Sequence, residues 1–214
     1  MSEWLVEIWL NMTAEKTYKS WPLGAIDGLF FKSGFLDNSP MLEYITSIFN
    51  SFPGFQRKIT VSAVDVENGE YVTFNDNDEG DFSDFPSKVV ASASVPFVFP
   101  NRKIGNRTFM DGGTTWNTNL ISAIERCMEV VDDHSKITID IIVCSSHTIS
   151  NENKTSSTIG NFLRYRDIKS FNSGLEDITR FARAYPTVNF RYFFMPSEPL
   201  TSGLDELKFD KEIL

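Results

Sequence analysis

Ala91-Ser92-Ala93-Ser94-Val95-Pro96-Phe97-Val98-Phe99-Pro100 is followed, after a short variable turn, by Phe109-Met110-Asp111-Gly112-Gly113 and then by Asn117-Thr118-Asn119. The first run ends a short helix around Pro86–Ser94. Val95-Pro96 stops it, because the residue before a proline is pushed out of the helical region. A strand and turn then reach Asp111-Gly112-Gly113. A helix follows at about 119–131, with Leu120, Ile124, Cys127 and Val131 at helical spacing for burial. Asp-Gly-Gly by itself is usually only a turn. Between Val90 and Cys127 it sits inside an ordered series of elements, which chance rarely supplies.

Upstream, Lys58–Phe74 holds two β-rich runs flanking Asn68-Gly69, the dipeptide that favours a tight hairpin turn. Residues 3–19 read as a helix with Trp4, Leu5, Ile8, Trp9 and Met12 on one face. A loop with Pro22, Gly24, Gly28 and Gly34 follows. A second helix opens at Pro40, a good first-turn residue, and is expected to bury Leu42, Ile45, Ile48 and Phe49. Downstream, residues 137–144 read as a strand near the middle of a sheet. Residues 145–160 read as a loop, 175–184 as a helix and 189–194 as a strand. Strands alternating with helices indicate the α/β class.

The block from Val90 to Cys127 resembles the signature of patatin-like phospholipases: an alanine/serine helix end, a proline and Phe-Pro, then Asp-Gly-Gly, then an Asn-rich helix start. Gly34-Phe35-Leu36-Asp37-Asn38-Ser39-Pro40 and the Asn68-Gly69-Glu70 hairpin are similar to further stretches of that family. The resemblance implies a three-layer α/β/α sheet, here incomplete because N-terminal elements are missing. It covers residues 1–145 as the C-terminal part of a patatin-like domain, with 146–214 completing or flanking it. It also implies hydrolysis of lipid acyl esters by a serine–aspartate dyad, with no cofactor and no metal. In the family the serine lies in a Gly-x-Ser-x-Gly elbow and an aspartate accepts its proton. Carried onto this sequence, that proton acceptor is Asp111, and Gly112 and Gly113 complete its motif.

The nucleophile itself is not in the chain. Ser33, Ser173 and Ser202 each precede a glycine, but none has a glycine two positions earlier. A glycine-rich oxyanion run of the Gly-Gly-x-Arg/Lys-Gly type is absent as well. Serine needs a base, and the tetrahedral intermediate needs donors, so this chain alone is expected to be inactive, as a fragment of a lipase would be. The alternatives are a non-catalytic, patatin-derived lipid-binding or scaffolding protein, and a generic α/β domain in which Asp111-Gly112-Gly113 is a turn.

Composition narrows the partners. The 214 residues are 41% hydrophobic and 23% charged, ordinary for a folded domain with a sizeable core. Nineteen Phe suggest a ring-packed interior. A net charge of −9 opposes non-specific binding to nucleic acid and to anionic membranes. The acidic run Asn75–Asp81 lacks the twelve-residue calcium-loop pattern and reads as a solvated loop. Cys127, His134, Cys144 and His147 match no zinc spacing, and two cysteines give no disulfide framework. The expected location is cytoplasmic, with peripheral contact at membranes or lipid droplets implied by a lipid ester substrate. Trp4, Trp9, Trp21 and Trp116 are expected in the core or in a cleft wall. A sheet lacking central strands would leave an apolar face and an edge uncovered. The chain expressed alone is therefore expected to be poorly soluble, and a sharp, cooperative thermal melt of a monomer would contradict that.

Overall fold

The computed structural model describes residues 2–78, 82–144, 148, 149, 157–198 and 207 of the chain. They form two compact units, one running through Thr115 and one from Trp116 onward. Both mix helices with strands, in agreement with the α/β class.

The first unit opens with α1 (Ser2–Leu10) and α2 (Ala14–Thr17). The expected single helix over 3–19 is thus broken. Thr13 is extended (φ −134°) and the Asn11 amide folds back onto the Glu7 carbonyl at 2.8 Å. Such short polar side chains compete with the backbone for helix hydrogen bonds. The stretch expected as a plain loop contains α3 (Ala25–Phe30). Next comes α4 (Ser39–Phe49), with Pro40 in its first turn as expected. Its apolar residues Leu42, Ile45, Ile48 and Phe49 are half-buried rather than fully enclosed.

The hairpin of β1 (Thr60–Asp65) and β2 (Tyr71–Asn75) forms around Asn68-Gly69, with Gly69 at φ +74°. Helix α5 (Phe85–Ser92) follows, then a second hairpin of β3 (Arg102–Ile104) and β4 (Arg107–Asp111). The four strands make one antiparallel sheet in the order β2-β1-β4-β3. Its core is ring-packed as anticipated. Phe55 meets Phe82 and Phe85 edge-on at 4.8 and 4.9 Å, and Phe74 meets Phe109 at 5.3 Å. Lys88, only 8% exposed, lies over the rings of Phe74 and Phe85 at 5.7 Å from each centroid, so the ring faces partly replace the water it has lost. Ahead of α5, Asp76 and Asp78 accept backbone N–H groups of Ile59 and Asn75. Residues 79–81 of the acidic run lie outside the described residues.

The second unit contains α6 (Leu120–Met128), β5 (Thr138–Ile142), α7 (Thr158–Ala184) and β6 (Asn189–Phe194). Strands β5 and β6 pair in parallel, which requires a long crossover, and α7 supplies it. The sequence pattern located only the last third of α7. Gly160, Ser170, Asn172, Ser173 and Gly174 dilute the apolar repeat before that point, while Ser157 caps the start by accepting the Gly160 N–H at 3.0 Å. Most of the loop expected at 145–160 lies outside the described residues. The expectation of a central strand at 137–144 is corrected. Among the described residues β5 has the single partner β6, and only Ile139 and Ile141 of its residues are buried, against Leu120, Ile124 and Phe181. Trp4, Trp9 and Trp116 are exposed rather than core, and Trp21 is half-buried.

One ion pair ties the first hairpin to β4. Asp65, 2% exposed, accepts from Arg107 Nε at 2.5 Å and from the Glu67 N–H at 2.8 Å. Arg107 also reaches Glu70. The Arg107 hydrogen bond, followed by that from Glu67, holds the Asp65 carboxyl below its ordinary value. A carboxylate depressed in this way stabilises the fold above its unfolded pKa of about 4 and ceases to do so as pH falls through the folded value. Asp65→Asn is therefore expected to melt lower than the parent at neutral pH. It should also lose less stability than the parent between about pH 5 and pH 2, as read by circular-dichroism melts.

Candidate functional site

Two stretches far apart in sequence are joined edge to edge in the first unit. The segment from Gly34 runs alongside Phe97 in parallel, with Phe35 N–H donating to the Phe97 carbonyl at 2.8 Å and Leu36 N–H to that of Val98 at 2.9 Å. A Cβ at Gly34 would sit 2.2 Å from the Phe99 carbonyl carbon and 2.3 Å from the Pro100 nitrogen. Only glycine allows this approach. Phe97 itself has φ +74°, a conformation costly for a bulky residue and held only where its surroundings impose it. Its ring stacks on that of Phe35, 6.2 Å between centroids.

After that junction the chain turns into α4. Asp37 accepts both the N–H and the hydroxyl of Ser39, at 2.9 and 3.1 Å. This leaves Asn38, at the N-cap position, free to point its side chain inward instead of capping the helix. Asn38 is fully buried. Its Nδ2 lies 3.5 Å from Ser94 Oγ, a long contact, and its Oδ1 accepts from Arg102 at 3.0 Å. Ser94, equally buried, donates to the Val90 carbonyl at 2.8 Å. Burial pulls the Arg102 guanidinium down from its ordinary pKa, opposed by Asp37. Among the described residues the Nε of Arg102 has no hydrogen-bond partner. Such a group raises the cost of losing the bond Arg102 does make to Asn38.

The same Ser94 holds Asp111 through the backbone: its carbonyl accepts the Asp111 N–H at 3.0 Å. Asp111 is the last residue of β4, opposite Ala63 on β1. Its carboxylate accepts the Gly113 N–H at 2.6 Å and so caps the one-turn helix Gly112–Thr114. Gly112 is buried. A Cβ there would lie 2.5 Å from the Ser62 carbonyl oxygen. The three residues thus divide the work. Gly112 lets the chain leave the sheet against β1, Gly113 supplies an N–H, and Asp111 keeps a half-exposed carboxylate at a fixed strand end. An oriented, accessible carboxylate can accept a proton from a hydroxyl brought within hydrogen-bond reach.

Sequence reasoning picked out Asp111, Gly112 and Gly113 but not the Asn38–Ser94–Arg102 cluster behind them. Asn38 and Ser94 lie inside the two quoted blocks, yet nothing in a linear pattern says that their side chains meet. Arg102 carries no local signal at all.

A family model described as patatin-like phospholipase matches residues 1–124. That span includes both joined stretches, the first hairpin and Asp111-Gly112-Gly113. No curated protein matches the chain.

Replacing Asn38 by Ala strips the half-buried Arg102 of the Asn38 acceptor and is expected to destabilise the first unit by about 2 kcal/mol. Gly112→Ala should cost at least as much, since backbone rather than a movable side chain stands in the way of the new methyl group. Denaturant unfolding of the two variants beside the parent measures both.

Proposed function

The chain belongs to the patatin-like phospholipase family, and we propose that it supplies the proton-accepting half of a lipid acyl ester hydrolase, with Asp111 as the base of a serine–aspartate dyad. The observation that carries this reading is the half-exposed Asp111 carboxylate at the end of β4, held on the Gly113 N–H inside the span that matches the family. In the reaction a serine hydroxyl passes its proton to Asp111 as its oxygen attacks the acyl carbonyl. Asp111 then returns the proton to the departing alcohol, and water releases the acyl group by the same route. A carboxylate offers about four acceptor sites, and the Gly113 N–H occupies one of them.

None of the 214 residues forms a Gly-x-Ser-x-Gly elbow. Within this reading the attacking hydroxyl comes from residues outside these 214, and the chain on its own is inactive. The same sequence fact favours a second reading, a non-catalytic protein that binds lipid without cleaving it. No helix among the described residues is long and apolar enough to cross a membrane.

A serine-directed fluorophosphonate probe should leave the 214-residue chain unlabelled. The transcript in its native cell should encode Gly-x-Ser-x-Gly in the same frame. The product of that frame should hydrolyse phospholipid or neutral lipid esters, and Asp111→Asn in it should lower kcat by a factor of about 10³ or more without a matching rise in KM. Full activity in the Asp111→Asn protein would defeat the dyad. A frame without the elbow would leave the lipid-binding reading standing.

A further inference from the structure

The least buried apolar cluster of the first unit gathers on and around α3. Leu23, Ile26, Leu29, Phe30 and Phe31 are 51–75% exposed. Scattered apolar side chains on a surface are ordinary, but five within nine residues of one short helix and its flanks are not. The cluster is also held firmly. A Cβ on Gly28 would sit 2.7 Å from the Phe35 carbonyl oxygen, so this side of α3 lies directly on the backbone that leads into the site. Trp21 donates its indole N–H to the Gly34 carbonyl at 3.1 Å. With the helix pinned on that side, its apolar side chains face outward.

Charge around the tip is unlike that of the chain as a whole. Between Tyr18 and Leu36 the charged residues are Lys19, Asp27 and Lys32, against −9 overall. The Asp27 carboxylate is turned back onto the Leu23 N–H at 2.9 Å. Lys32 lies over the Trp21 ring with its Nζ 5.0 Å from the centroid. Lys19, its side chain 58% exposed, shares Asp37 at 3.5 Å. An apolar tip with a tryptophan and lysines at its base fits the boundary of a bilayer: apolar side chains enter the acyl region, while indole and ammonium groups stay at headgroup level.

We propose that α3 and its flanks are the surface by which this protein docks on a phospholipid bilayer, with Leu23, Ile26, Leu29, Phe30 and Phe31 inserted and Lys19 and Lys32 against anionic headgroups. The inference rests on the lipid reading given above and adds to it the element that meets the lipid. Gly34, whose carbonyl Trp21 holds, belongs to the same turn that leads through Asn38 and Ser94 to Asp111. Docking through α3 therefore brings the membrane to the elements that carry the carboxylate. Because the chain is strongly acidic elsewhere, apolar insertion supplies most of the attraction, and added salt weakens binding only slightly.

Co-sedimentation with vesicles of ether-linked phosphatidylcholine, with and without ether-linked phosphatidylglycerol, tests this with no ester available for cleavage. The 214-residue chain should bind both, and more strongly with the anionic lipid. Phe30→Ser with Phe31→Ser should lower the partition coefficient at least about tenfold, and Lys32→Glu should abolish the preference for the anionic lipid. Leu5→Ser with Val6→Ser on α1, where the two side chains are 50% and 55% exposed, should leave binding within about twofold. Circular dichroism confirms that each variant is folded. No binding by the parent, or undiminished binding by the Phe30/Phe31 variant, overturns the proposal. So does light scattering that shows a dimer dissolved by the same two substitutions, since a second copy would then be what covers α3. Vesicle binding together with a frame that cannot hydrolyse esters would sink the catalytic reading and leave the docking surface intact.

Discussion

The first unit depends on the contact at Gly34, where one stretch of backbone lies against another with no room for a side chain. The close approach lets Phe35 and Leu36 donate to the carbonyls of Phe97 and Val98, which register residues 34–36 against residues 97–98. That registry carries Asn38 into the interior between Ser94 and Arg102. A buried amide with specific partners is costly to misplace, because every alternative packing leaves donors and acceptors unpaired. The turn at Asp37–Pro40 is therefore fixed by polar satisfaction as much as by apolar burial, and the strand end bearing Asp111 inherits its position through the Ser94 carbonyl.

Local structure was legible in the sequence where one chemical rule governed it. Asn68-Gly69 announced the hairpin, Pro40 the start of α4, and Val95-Pro96 the end of α5. Phe-rich composition announced a core of rings. Reading failed where several weak preferences added up or where the partner lay far along the chain. Asn11 and Thr13 interrupt an apolar repeat that looked continuous. The first half of α7 carries too many small polar residues to stand out. The apolar run at 137–144 gave no sign that, among the described residues, its strand would pair with β6 alone. Of the candidate site, the carboxylate and its glycines stand out in the sequence because they form one short motif. The supporting cluster could not, since it consists of contacts between residues 38, 94 and 102.

Surface and core are unevenly shared between elements. Aromatic rings fill the space between α5 and the four-stranded sheet, and aliphatic side chains of α6 and β5 meet Phe181 of α7 in the other unit. Helices α1 and α3 instead present tryptophan, leucine and phenylalanine to solvent. Leaving such residues partly in water forgoes part of their transfer free energy.

The parallel pairing of β5 with β6 has a consequence for the order of events in synthesis. Thr138 and Asn189, neighbours across that pairing, are 51 positions apart in the chain. Val64 and Tyr71, by contrast, meet across a tight turn. Closing a long crossover demands more conformational entropy than closing a hairpin, and topologies of this kind assemble late. As the polypeptide emerges from the ribosome, the sheet that carries Asp111 can form while β5 still waits for its partner. Until β6 is translated, the apolar side of β5 lacks its strand partner and is open to non-native contacts.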